Sequence, residues 1–146
     1  MTTIRGARRD DGLRLAALSG ELGYPMTPEE AVLRLADLVA HGDHALLVAD
    51  VDGRVAGWIQ VSLPRIFETS KSAEIAGLVV DSAERGRGIG RRLVDAAVAW
   101  AAERGCVAVR VRSNVIRERA HAFYVREGFR EVKTQRVLEK KLGPAG

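Results

Sequence analysis

The chain has 146 residues, the length of one domain and enough to bury a core without disulfides or a structural metal. At 47% hydrophobic and 29% charged it has the composition of an ordinary soluble globular protein. The net charge of +4 suits an anionic ligand, whether nucleic acid, a membrane surface or a phosphate-rich cofactor, but Arg5, Arg8, Arg9, Arg14, Arg34 and Arg54 are scattered and read as solvated surface.

The N-terminal MTTIRGARRDD lacks the apolar core of a secretory signal. Nowhere does the chain carry the run of about 18 apolar residues that a membrane span needs, so a cytoplasmic protein is expected. Residues 2–4 read as a first strand. Asp10 or Asp11 is placed to cap a helix carrying Leu13, Leu15 and Leu18. GELGYP (20–25) breaks it. Thr27-Pro28-Glu29-Glu30 is a capping-box pattern, followed at helical spacing by Val32, Leu35, Ala36 and Val39, and Gly42 ends the helix.

Residues 45–51 are strand-like, Asp52-Gly53 is a hairpin signal, and the alternation from Val55 to Leu63 predicts the second arm. After a polar loop, AEIAGLVVD (73–81) reads as a strand buried on both faces, with Gly77 marking a bulge or a close backbone approach. Beyond the glycine-rich ERGRGIGRRL, the positions of Ile89, Leu93, Ala96, Ala97 and Trp100 define a helical face, widened by Val94 and Val98 and closed by Gly105. Cys106 is the sole cysteine, which excludes an internal disulfide and fits a reducing compartment; it reads as a small buried hydrophobe. A strand at 106–112, a helix at 116–127 capped by Gly128, and two closing strands in FREVKT and QRVLEKKL complete the order β-α-α-β-β-β-α-β-α-β-β. This is a single α/β (α+β) domain, 1–146, with a mixed, mainly antiparallel sheet. The helical crossover makes its fourth and fifth strands parallel.

The glycine loop is the most specific signal. A helix start offers unpaired N–H groups and partial positive charge, and glycines let an anion approach that backbone. The loop is not the Rossmann fingerprint, because Arg91 stands where the last glycine belongs, and it has no P-loop match. It does fit [Q/R]-x-x-G-x-[G/A], with Arg85, Gly88 and Gly90 in the fixed places. An RNA-binding RGRG segment would be repetitive and disordered, whereas this one sits between two apolar elements.

That pattern resembles the acetyl-CoA pyrophosphate loop of the GNAT superfamily of N-acetyltransferases. Asn114, Ala120, Phe123, Tyr124, Gly128 and Phe129 resemble the family's N-x5-A-x2-F-Y-x3-G-F segment. The resemblance covers nearly the whole chain and is strongest from about 73 to 129. It implies a GNAT-like sheet whose fourth and fifth strands splay to admit acetyl-CoA. The pantetheine would pair with the backbone of Leu78, Val79 and Val80. The pyrophosphate would meet the N–H groups from Gly86 through Arg87, Gly88, Ile89 and Gly90 to Arg91, with Arg85 and Arg91 adding charge. Asn114 would bond the pantetheine arm or a water, or else serve as a plain helix cap.

Acyl transfer to an amine needs a base for the incoming ammonium and a proton for the departing thiolate. The resemblance places Tyr124 as the thiolate's proton donor; its bland alternative is a core aromatic. Glu74 is an acid within an apolar strand, where burial would raise its pKa as a base requires. It precedes Arg85 by eleven residues, the spacing that the histone-acetylating branch resembles; the alternative is an idle carboxylate at the strand's wet end. The acceptor loops are expected in GELGYP, with Glu21 and Tyr24, and in PRIFETSKS, with Phe67 and Glu68; Trp58 is a further wall candidate. No metal spacing links the three histidines. The expected activity is acetyl-CoA-dependent N-acetyl transfer, by direct attack in a ternary complex, to a small-molecule amine of aminoglycoside or polyamine type or to a protein amine. The competing reading is a catalytically idle acetyl-CoA sensor. No nucleic-acid or membrane partner is expected, and a homodimer is in keeping with the resemblance.

Overall fold

The computed structural model describes residues 1–112 and 118–143. Two compact units divide the chain, Met1–Asn114 and Val115–Gly146. The first holds β1 (Thr2–Gly6), α1 (Gly12–Leu22), α2 (Pro28–Val39), β2 (His44–Val51), β3 (Arg54–Ser62), β4 (Ser72–Val80), α3 (Ile89–Glu103) and β5 (Ala108–Val111). The second holds α4 (Glu118–Arg126).

The sheet runs in the order β1-β2-β3-β4-β5. Its first three pairings are antiparallel, and β4 pairs with β5 in parallel, as the crossover through α3 requires. The β2–β3 turn is as expected: Asp52 at φ 51° and Gly53 at φ 91° are both left-handed, the geometry of a tight hairpin turn. The box at the start of α2 also forms. Thr27 Oγ1 accepts from the Glu30 N–H, and the Glu30 carboxylate accepts from the Thr27 N–H, both at 3.1 Å.

The start of α1 differs from expectation. Asp11 makes no cap for that helix. Its carboxylate turns back to accept from the Arg8 N–H at 2.7 Å and from the Arg5 guanidinium at 2.9 and 3.0 Å. A charged fork outcompetes a lone helix amide for the same oxygens. The far end of α1 also runs on, through Gly20 to Leu22, and stops at Gly23 with φ 99°. An interior glycine costs a helix about 1 kcal/mol. Burying the neighbouring Leu18, fully enclosed in the core, is worth about 2 kcal/mol.

Leu15 and Leu18 of α1, with Ala31 and Leu35 of α2, pack with Val48, Val55 and Val79 of the sheet. The opposite face is covered by α3, buried through Ile89, Leu93, Val94, Ala97 and Ala101 and in contact with β1 to β5. Val98 and Trp100, expected on that face, lie at its margin: Val98 is exposed, and Trp100 is half-buried beneath the Arg104 guanidinium at 4.1 Å. Cys106 is half-buried rather than buried.

The two closing strands are absent among the described residues; 129–142 pair with nothing as strands. Val137, Leu138 and Leu142 are almost fully exposed. Such a pair without a sheet to join is marginal in water. Two short closing strands were expected here, but only a partner edge can stabilise such segments.

Candidate active site

The glycine loop takes the shape its residues predicted. A single turn of 3-10 helix at Ser82–Glu84 leads from β4, and α3 begins at Ile89 with Gly88 as its N-cap. Gly86 has φ 85° and Gly88 φ 75°, left-handed values that strain any residue with a Cβ. No heavy atom lies within 4 Å of where a Cβ would sit on either, so the glycines leave an open, concave backbone. No side chain caps α3. Its first intrahelical bond runs from the Arg92 N–H to the Gly88 carbonyl at 3.1 Å, so the Ile89 and Gly90 amides belong to the unpaired set of a helix start. Ile89 anchors the loop, buried in the core. Arg85 is exposed, Arg87 pairs with Glu84 at 3.2 Å, and Arg92 is tied to the Thr2 carbonyl at 2.7 Å. Arg91 is exposed at the helix start.

Upstream, β4 carries a bulge. Gln60 pairs with Gly77 and Val61 with Ile75, leaving Ala76 as the extra residue. Gly77 satisfies both expectations made of it. It follows the bulge, and a Cβ there would meet the Trp58 ring at 3.0 Å, so the indole lies directly over its backbone. The parallel pairing with β5 spans only Ser72–Ile75 against Ala108–Val111. From Ala76 to Val80, through Leu78 and Val79, the β4 edge turned away from β3 therefore meets no described strand. This corrects the expectation of a strand buried on both faces. Ala76 is exposed, and burial alternates only through Ala73 and Ile75 before the bulge.

Glu74 pairs in register with Ser62 on one side and Arg110 on the other. It shares the face of Trp58, the one α1 and α2 cover, but lies beyond their packing. It is half-buried and accepts from Arg112 Nε at 2.8 Å, so the buried acid expected from sequence is instead a half-buried, ion-paired one. Glu74 lines a cavity of about 320 Å³ between the β3–β4 connection, the start of β4 and the end of β5, where Arg110 and Arg112 lie. Phe67, fully exposed at its outer edge, also lines it; Glu68, in the same loop, is exposed and is not among the lining residues.

Within the second unit, Tyr124 is buried on α4, with Phe123 and Phe129 edge-on at 5.2 and 5.5 Å. Burial pushes its phenol pKa up to about 12. The Phe129 N–H bonds the Tyr124 carbonyl at 2.9 Å past Gly128, whose φ is 95°. Asn114 lies outside the described residues.

Other expected acceptor residues lie elsewhere. Glu21 sits on α1 and accepts from the Ser82 N–H at 3.5 Å, beside the opposite end of β4 from Glu74. Tyr24 is exposed after α1. Neither lines the cavity beside Glu74. Sequence reasoning missed Asp81, the acid that closes β4. Its buried carboxylate accepts from the Ala83 N–H at 3.0 Å and pairs with Arg14 at 2.9 Å and Arg54 at 3.0 Å. The Ala83 N–H and the two guanidinium groups hold its pKa below the usual carboxylate range. Asp81 thus fixes the strand end from which the glycine loop springs. Arg14 and Arg54 are its clamps rather than idle surface, and Arg5 likewise ties Asp11 to Asp50.

The family model described as "Acetyltransferase (GNAT) family" matches residues 13–129, a stretch that runs through the boundary between the two units. This chain belongs to the GNAT family. The acetyltransferase is 35% identical over 119 residues to glucosamine 6-phosphate N-acetyltransferase 1 of Oryza sativa, covering 78% of this chain and 70% of that one. It is 30% identical over 141 residues to aminoglycoside N(6')-acetyltransferase type 1 of Stenotrophomonas maltophilia, covering 93% and 90%. An aminoglycoside N-acetyltransferase structure solved with CoA shares the fold of this enzyme, with a TM-score of 0.88 at 17% identity over 97% of this chain and 96% of that one. Among the described residues, no helix of the acetyltransferase is long and apolar enough to cross a membrane.

Proposed function

We propose that this GNAT enzyme moves the acetyl group of acetyl-CoA to a primary amine by direct attack in a ternary complex, with residues 1–146 acting as one domain. The observation that carries the reading is the open, positive-φ glycine backbone at the start of α3, where no side chain caps the helix, shortly after a strand whose edge past its bulge meets no described strand. An anion fits that backbone because the first amides of a helix have no internal partner and carry partial positive charge. Gly86, Arg87, Gly88, Ile89, Gly90 and Arg91 would hold the pyrophosphate, with the exposed Arg85 beside them. Leu78, Val79 and Val80 would pair with the pantetheine through main-chain groups, and Asn114 would bond its arm.

The thioester supplies an acyl carbon with a good leaving group. The chain's own groups do the rest. Glu74 takes the proton that the ammonium must lose before its nitrogen can attack. A main-chain N–H beside the bulge at Ala76 faces the oxygen on which charge develops; such a donor is often the largest catalytic contribution. As the carbon–sulfur bond breaks, the Tyr124 hydroxyl gives its proton to the thiolate. Burial keeps the phenol neutral, so it holds a proton to give.

The named relatives support an amine acceptor, since glucosamine 6-phosphate and aminoglycosides both carry amino groups. The test is CoA thiol release from acetyl-CoA across a panel of primary amines. Amine-dependent release supports the reading. Tight acetyl-CoA binding with no release against any amine makes the chain a sensor instead.

A further inference from the structure

We infer that the acceptor is an amine that also carries an anionic group, a phosphate or a carboxylate, which Lys71 and Arg110 bind while Glu74 receives the amine. The inference rests on the acetyl-transfer reading and deepens it.

The observation is an imbalance of charge in the cavity beside Glu74. Four cationic side chains line it, Arg65, Lys71, Arg110 and Arg112, against one carboxylate, Glu74. Two of the cations are engaged. Arg65 grips Asp43 with a two-pronged contact, Nε to Oδ2 at 2.7 Å and Nη2 to Oδ1 at 2.9 Å. Arg112 holds Glu74 at 2.8 Å. Among the described residues, Lys71 and Arg110 have no ion-pair partner. Lys71 does feel the field of Asp43, which Arg65 already binds. The cavity thus keeps an excess of positive charge after its internal pairs are counted.

Register places this charge where an acceptor would use it. Glu74 and Arg110 are direct partners across the parallel β4–β5 pair, so their side chains leave the same face side by side. Lys71 immediately precedes β4, and its carbonyl accepts from the Val107 N–H at 2.9 Å just ahead of β5, which fixes it at the same end. An acceptor with its amine at Glu74 therefore meets Arg110 one strand away and Lys71 at the cavity's end. Charge–charge attraction between neighbouring side chains acts even in water and is stronger in a partly enclosed cavity. A polycation would meet the same charge as repulsion. The cavity discriminates against polycationic acceptors and in favour of zwitterionic ones.

The experiment compares kcat/KM within matched pairs that differ in the anion alone: glucosamine 6-phosphate against glucosamine, and 4-aminobutyrate against its amide. Kanamycin serves as a polycation. At low salt the anionic member of at least one pair should be favoured about tenfold, as a charge-assisted contact gives; the pair that responds tells phosphate from carboxylate. In Lys71→Ala/Arg110→Ala that ratio should fall toward one, mainly through KM. Equal or better use of the uncharged member in both pairs, or of kanamycin over both anionic amines, overturns the inference, as does a ratio unchanged in the double variant. Calorimetric binding of glucosamine 6-phosphate and 4-aminobutyrate separates the two readings. Saturable binding of either that needs Lys71 and Arg110, with no amine acetylated, upholds the anion site and overturns the transferase reading. No such binding and no acetylation overturns both.

Discussion

Arg112 donates through Nε to Glu74 Oε1 at 2.8 Å, so the proposed proton acceptor is already held by a guanidinium. Glutamine at 74 keeps an oxygen for that bond but has no basic group. Glu74→Gln should therefore fold as the parent does and lose about 10²-fold in kcat, the usual contribution of a positioned base. Glu74→Ala should lose the same rate and also the ion pair with Arg112. Steady-state CoA release and thermal melts of both variants test this. Glutamine turnover equal to the parent's would show that the proton leaves by another route.

Tyr124 is buried against Phe123 and Phe129, and its pKa is pushed up to about 12 by burial. The sign follows from that direction. The neutral phenol persists above pH 10, where a free tyrosine is half ionised, so kcat should show no alkaline loss from this group below about pH 11. Tyr124→Phe keeps the ring packing and removes the proton. It should melt near the parent temperature and lose about 10²-fold in kcat with acetyl-CoA KM little changed. A large loss of melting temperature with parental kcat would mark the residue as packing alone.

What sequence made legible here was local chemistry. The Thr27–Glu30 box, the Asp52-Gly53 turn and the bend at Gly88 each depend on residues within a few positions, and each formed as expected. The errors were matters of partnership. Asp11 had the right residue type for a cap, yet Arg5 on another element claimed its carboxylate. Glu74 read as the acid of an apolar strand because nothing local reveals that Arg112, just past β5, reaches it. FREVKT, expected as a closing strand, met no described partner edge. Arg14, Arg54 and Asp81 are far apart in sequence and meet only once β3 and β4 pair.

The glycines of the loop should separate ligand binding from folding. Gly88 sits at φ 75° with open space where a Cβ would point, so alanine there meets backbone strain but no clash. The strain is worth about 1–2 kcal/mol. Gly88→Ala should melt a few degrees lower and raise acetyl-CoA KM by about tenfold, because the new methyl fills the approach to the helix start. Acetyl-CoA affinity equal to the parent's at that position would remove the loop from the donor site.

Asp81 gives the fold an acid-sensitive clamp. The Ala83 N–H, Arg14 and Arg54 lower its pKa in the folded state, against the opposing pull of burial. A carboxylate depressed on folding adds stability that is fully present above its unfolded value, near pH 4, and is lost as pH falls through the folded one. Asp81→Asn should therefore be less stable than the parent at pH 7, and the gap should narrow as pH drops below about 4. Because Asp81 also sets the strand end before the glycine loop, its loss should raise acetyl-CoA KM more than it lowers kcat. Urea melts from pH 3 to pH 7, paired with KM at pH 7, measure both. A stability gap independent of pH would mean that the carboxylate's charge contributes nothing, leaving only its hydrogen-bonding shape to hold β4 to the loop.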